Sequence, residues 1–151
     1  MSNHSAGIVL LVEDEPLVRL VTADILLEAN FRVIEAANAE EALTLLQACV
    51  EVDVLLSDVE MPPGVNGYEL AQQVHERWSP IEILITSGRE WPRGGDLPPG
   101  AAFLAKPCPS QTLVSYVRSA ADRAQATRAT CFAAAETDLA EGKVVPFPKV
   151  G

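Results

Sequence analysis

Short apolar runs recur along this chain, and most of them stop abruptly at a charged or hydroxyl residue. Residues 8–12 (Ile-Val-Leu-Leu-Val) lead into Glu13, Asp14 and Glu15, and residues 52–57 lead into Asp58. Residues 81–85 lead into Thr86 and Ser87, and residues 102–105 into Lys106. A continuous apolar run bounded by polar groups is the pattern of a strand buried on both faces. A further strand is expected at about 31–35.

The segments between these runs carry a helical period. Leu17, Val18, Leu20, Val21, Ile25 and Leu26 recur at helical spacing over 16–28, with Pro16 suited to a first turn and Asn30 to an exit. A second helix is expected at about 39–48 behind Asn38 as cap, a third at about 68–78, and a last one from about Ser110. Leu113, Val114, Tyr116 and Val117 form its expected buried side. Residues 88–100 hold Pro92, Pro98 and Pro99 with Gly88, Gly94, Gly95 and Gly100, so a regular helix there is not expected.

Alternation of strand and helix implies a parallel sheet with helices on both faces, an α/β doubly wound fold. In such sheets the working site lies at the carboxyl ends of the strands. Glu13, Asp14, Asp58, Thr86 and Lys106 are the residues that the pattern delivers there. Three carboxylates meeting at strand ends repel one another unless a cation joins them, and an all-oxygen ligand set favours a hard ion such as Mg2+. A carboxylate can also act as the nucleophile toward phosphorus. Lys106 and the Thr86 hydroxyl then supply the charge and the hydrogen bond that a phosphoryl group needs.

Composition narrows the function classes. Hydrophobic residues at 48% and charged residues at 21% suit a globular domain with a real core. The net charge is −10, and residues 122–151 balance Asp122, Glu136, Asp138 and Glu141 against Arg123, Arg128, Lys143 and Lys149, so the excess acid falls before residue 122. That field repels nucleic acid. No apolar run approaches the ~20 residues of a membrane span, and residues 1–7 lack the pattern of a signal peptide, so no membrane association and a cytoplasmic location are expected. Cys49, Cys108 and Cys131 with His4 and His75 fit neither a disulfide framework nor a zinc site. Cys108 reads as a packing thiol, His75 and Trp78 as surface and packing residues, and Trp91 as a loop residue that either anchors a partner or covers the core edge.

The motifs Leu-Val-Glu-Asp-Glu-Pro (11–16), Ser-Asp-Val-Glu-Met-Pro (57–62), Gly-Tyr-Glu-Leu (67–70), Thr-Ser-Gly (86–88) and Leu-Ala-Lys-Pro (104–107) resemble the bacterial two-component response-regulator receiver family over roughly residues 7–121. The resemblance implies a flavodoxin-like five-stranded sheet of order 2-1-3-4-5. It implies that Asp58 is the phosphoacceptor, and that Glu13, Asp14, Asp58 and the Glu60 backbone carbonyl hold Mg2+. It also implies that Lys106 contacts the acyl phosphate, that Thr86 swings toward the phosphoryl group with Phe103 following, and that the Lys106–Pro107 bond is cis. Two departures stand out. The loop from Met61 to Gly67 is one residue longer than the commonest family spacing, and 88–100 replaces much of the family's fourth helix, part of its output face.

The function expected is a phosphorylation-dependent switch that takes a phosphoryl group from a sensor histidine kinase or histidine phosphotransfer protein and signals by protein contact, as a homodimer or otherwise. It is not expected to be a turnover enzyme. The expected division is a receiver at 1–121 and, at 122–151, a helical continuation with a frayed tail and no output domain. Two alternatives stay open: a Mg2+-dependent phosphohydrolase with an aspartyl-phosphate intermediate, and a phosphorylation-independent adaptor.

Overall fold

The computed structural model describes residues 6–48, 50–60, 66–88 and 92–140, with side chains as far as Thr127. Expectations for Met61–Val65 in the loop after Asp58, for Trp91 and for the segment after Ala140 lie outside these residues, as do His4, Cys49 and the Cys131 side chain.

The order of elements is β1 (Gly7–Val12), α1 (Pro16–Glu28), β2 (Phe31–Ala36), α2 (Ala39–Gln47), β3 (Val54–Asp58), α3 (Gly67–Arg77), β4 (Glu82–Ser87), β5 (Ala102–Ala105) and α4 (Ser110–Ala140). The five strands form one sheet in the order β2-β1-β3-β4-β5, and every neighbouring pair is parallel. Strand alternation divides the core in two. Leu10, Val12, Leu55, Ile83 and Ile85 meet Ala42 and Leu46 of α2 and Leu70, Ala71 and Val74 of α3 on one face. Val9, Leu11, Val54, Leu56, Leu84 and Leu104 meet Leu26 of α1 and Leu113, Val117 and Ala121 of α4 on the other. Each fully buried leucine contributes about 1.5–3 kcal/mol.

Local chemistry sets the helix ends. Pro16 occupies the first turn of α1, and Asn30 leaves it at a positive φ of 74°, a conformation that asparagine tolerates better than most residues. The Asn38 side chain accepts from the Glu41 amide at 2.9 Å, which caps α2. At α3 the cap is reciprocal: Asn66 Oδ1 accepts from the Glu69 amide at 2.9 Å, and Glu69 Oε1 accepts from the Asn66 amide at 3.1 Å. Gly67 follows because a Cβ there would collide with the Asp58 carbonyl.

The expected buried side of the last helix needs one correction. Leu113 and Val117 are buried, but Tyr116 is 45% exposed. The stripe facing the sheet continues through Ala120, Ala121 and Ala124, which turns Tyr116 to its flank, where its hydroxyl reaches water. α4 crosses residue 121 without a break.

Between β4 and β5, residue 88 and residues 92–101 contain no helix. The loop is fastened instead. Gln72 Nε2 on α3 donates to the Gly95 and Asp96 carbonyls at 3.1 and 3.2 Å, and Asp96 accepts from the Arg93 amide at 2.7 Å. Gly95 and Gly100 have φ of 88° and 85°, which glycine adopts without strain. Leu97 packs against the core where a helix would otherwise lie.

Candidate functional site

The side-chain period of two decides which residues meet at the top of the sheet. Leu11, Leu56, Leu84 and Leu104 all point to the α1/α4 face, and the residue two places beyond each is Glu13, Asp58, Thr86 and Lys106. Asp58 and Thr86 are register partners across β3 and β4. Lys106 Nζ lies 3.2 Å from Asp58 Oδ1 and 3.4 Å from Glu13 Oε1. Glu13 and Asp58 are buried, and Asp14 is exposed at the rim. Carboxylate oxygens of Glu13, Asp14 and Asp58 lie within 4.8 Å of one another, close enough to share one ion, so the donor set fits a hard cation with oxygen ligands.

Electrostatics follow from this packing. Burial raises the Asp58 carboxyl from 3.8 to about 6; Glu13 adds to the rise, Lys106 opposes it, and Glu60 adds a little more. Burial alone would lower the Lys106 ammonium, but Asp58 and Glu13 outweigh it and the net shift is upward. Lys106 is therefore a fixed positive charge held between two acids. Burial raises the Cys108 thiol, with partial opposition from Lys106, which makes it a poor nucleophile.

Phe103 sits apart from this group. It pairs in register with Ile85, one residue before Thr86, and so projects to the opposite face, half-buried against the α2/α3 cluster. The Lys106–Pro107 bond is cis. Glu60 Oε2 accepts from the Ser87 hydroxyl at 2.6 Å, which ties the residue just after β3 to the end of β4.

Two supports were not anticipated from sequence. Arg19 Nη1 donates to the Glu13 carbonyl at 2.7 Å while its Nε donates to Glu35 at 3.2 Å, so α1 holds the Glu13 backbone in place. The only sequence signal was an arginine in the first turn of α1 and an acid near the end of β2. The Ser87–Glu60 bond is the other, and only the opposition of β3 and β4 reveals it.

A model of the response regulator receiver domain matches residues 9–118. The chain belongs to that family. This receiver is 33% identical over 120 residues to the C4-dicarboxylate transport transcriptional regulatory protein DctD of Pseudomonas aeruginosa, with 74% of this chain and 24% of that protein covered. It is 35% identical over 114 residues to the sensor kinase CckA of Brucella abortus, with 73% and 12% covered. The crystal structure of the receiver domain from the hybrid histidine kinase CckA superposes with a TM-score of 0.66 at 34% identity, covering 76% of this chain and 99% of that one. The receiver thus spans about a quarter or less of these two curated relatives. As a member of the family it is a signalling domain of two-component systems that accepts a phosphoryl group on an aspartate. Among the described residues, no helix is long and apolar enough to cross a membrane.

Proposed function

We propose that Asp58 is the aspartate that takes the phosphoryl group, from a phosphohistidine of a sensor kinase or a phosphotransfer protein. The observation that carries this reading is the pairing of a buried carboxylate with Lys106 at 3.2 Å inside a three-carboxylate cluster. An Asp58 oxygen attacks phosphorus, the phosphorus–nitrogen bond of the donor breaks, and the electron pair leaves with the imidazole. Lys106 turns from the two carboxylates to an equatorial phosphoryl oxygen, and the Thr86 hydroxyl donates to another. Glu13, Asp14, Asp58 and the Glu60 carbonyl hold Mg2+, which when bound neutralises charge on the phosphoryl oxygens.

The signal leaves by protein contact. Thr86 reaches for the phosphoryl group from β4, and Phe103, packed through the neighbouring strand on the opposite face, repositions with it. Leu17, Leu20 and Leu27 are exposed apolar residues along α1, Leu17 in the turn that follows β1, and suit a helical protein partner. A strongly acidic chain with this surface favours a protein partner over a nucleic acid.

The test is the amide NMR spectrum with Mg2+ and a beryllofluoride mimic. Shifts at the ends of β1, β3, β4 and β5 that need both components, and vanish in Asp58→Asn, support the reading; an unchanged spectrum removes it.

A further inference from the structure

The peptide that joins Glu13 to Asp14 is held from outside the carboxylate cluster. Val12 and Ala36 are the last paired residues of β1 and β2, and the Glu13 amide extends their ladder by donating to the Ala36 carbonyl at 3.1 Å. β2 ends there, and the next amide, of Ala37, donates to Glu41 Oε1 at 2.7 Å. The Glu13 carbonyl takes its hydrogen bond from α1 instead, from Arg19 Nη1 at 2.7 Å. Arg19 Nε donates to Glu35 Oε1 at 3.2 Å, so a planar guanidinium is fixed by two acceptors, one on β2 and one at the top of β1.

One carbonyl oxygen therefore governs two side chains. A peptide is planar, so the Glu13 carbonyl and the Cα atoms of Glu13 and Asp14 turn as one unit, and both carboxylates project from it. Glu13 is tied again through Oε2, which accepts from the Glu15 amide at 3.2 Å, and through Oε1 to Lys106. Asp14 is exposed, so packing does not hold it, and the orientation of its backbone decides where its carboxylate reaches. The Arg19 side chain is only 22% exposed, and a charge-assisted bond shielded in this way is among the stronger kinds.

Charge and geometry make opposite demands on Arg19. As a bare charge it repels any cation from the cluster, and its removal would tighten divalent binding. As a support it favours an ion that tolerates little misplacement of its ligands. Mg2+ demands near-ideal geometry, whereas Ca2+ accepts variable distances and ligand numbers.

We propose that Arg19 is a positioning residue for the ion site: by holding the peptide between Glu13 and Asp14 it sets the spacing of their carboxylates and favours Mg2+ over Ca2+. The inference rests on the reading of Glu13, Asp14 and Asp58 as ligands of a divalent cation. It gives Arg19 no contact with the phosphoryl group.

The experiment titrates the full chain with Mg2+ and with Ca2+ at constant ionic strength, by calorimetry, in wild type, Arg19→Met, Arg19→Lys and Glu35→Gln. Arg19→Met is expected to bind Mg2+ about ten-fold more weakly, the low end of what loss of a ligand-orienting partner costs, and Ca2+ to be weakened less. Arg19→Lys keeps the charge and one donor and should recover part of the Mg2+ affinity. Glu35→Gln still accepts from Nε and should stay within about two-fold of wild type. In metal-free protein the Asp14 amide nitrogen resonance, which reports the bond at the Glu13 carbonyl, should move in Arg19→Met and stay in Glu35→Gln. Unchanged or tighter Mg2+ binding in Arg19→Met, or equal weakening of Mg2+ and Ca2+, would overturn the assignment while leaving the ion site standing. Absence of Mg2+ uptake by wild type would overturn the reading of the carboxylates as ion ligands, and the role of Arg19 with it.

Discussion

Lys106 Nζ stands 3.2 Å from Asp58 Oδ1, an ammonium set against a carboxylate that burial has pushed up to about 6. Lys106 is the group that keeps that carboxylate from rising further. Replacing it with methionine keeps most of the apolar stem and removes the charge. We expect the Asp58 carboxyl to titrate above 6 in Lys106→Met, followed by its side-chain carbon resonance, and phosphorylation by a small donor to slow by about 10²–10³-fold, as when one oxyanion donor is lost.

The raised Asp58 value has a consequence for stability. Its folded pKa of about 6 lies above the unfolded 3.8, so between these values the native state binds more protons than the unfolded chain. Stability from this group is therefore present at low pH and lost as pH rises from about 4 to about 6. In metal-free buffer, Asp58→Asn should be more stable than wild type at pH 7, by roughly 1–3 kcal/mol once solvent screening of the site is allowed for. The gain should shrink toward pH 4. Urea melts at several pH values with chelator present check this, and an Asp58→Asn difference that does not vary with pH would contradict it.

Gly67 meets the backbone of Asp58 so closely that no Cβ fits. Its amide also donates to the Val59 carbonyl at 3.0 Å, which ties the start of α3 to the residue after Asp58. Gly67→Ala must shift either α3 or the end of β3, and we expect a loss of about 3 kcal/mol. Phosphorylation should slow as well. A melt within a few tenths of a kcal/mol of wild type would show that the loop yields more easily than this contact implies.

The Glu60–Ser87 hydrogen bond at 2.6 Å joins the segment just after β3 to the end of β4. Ser87→Ala should cost about 1.5–3 kcal/mol, the range for a hydrogen bond to a charged group. It should also free the Glu60 carboxylate, with a change in Mg2+ affinity read by titration.

Much of this architecture was written in the chain because the central strands are buried on both faces. Such strands must be continuous apolar runs, and where each run stops a polar residue marks the top of the sheet; Asp58 after Leu55-Leu56-Ser57 and Lys106 after Phe103-Leu104-Ala105 are the clearest cases. Asn38 was legible as a cap for the same local reason. Helical faces were less so. Helical spacing picked out Leu17, Val18, Leu20, Val21, Ile25 and Leu26 in α1, yet of these only Leu26 is buried and Leu17 is 69% exposed, because the lean of α1 toward β2 is a tertiary choice. Tyr116 was misplaced by one helical position. The Arg19 bond to the Glu13 carbonyl and the Gln72 clasp on the β4–β5 loop depend on how distant elements sit together, and no local pattern encodes them.

The most direct measurement is the position of the phosphoryl group itself. The protein is incubated with Mg2+ and acetyl phosphate, the acyl phosphate is trapped by borohydride reduction, and the peptides are sequenced by mass spectrometry. We predict a single reduced residue at Asp58, dependent on Mg2+ and absent from Asp58→Asn. Labelling at Glu13 or Asp14, or none under conditions where a reference receiver is labelled, would contradict the assignment of Asp58 as phosphoacceptor.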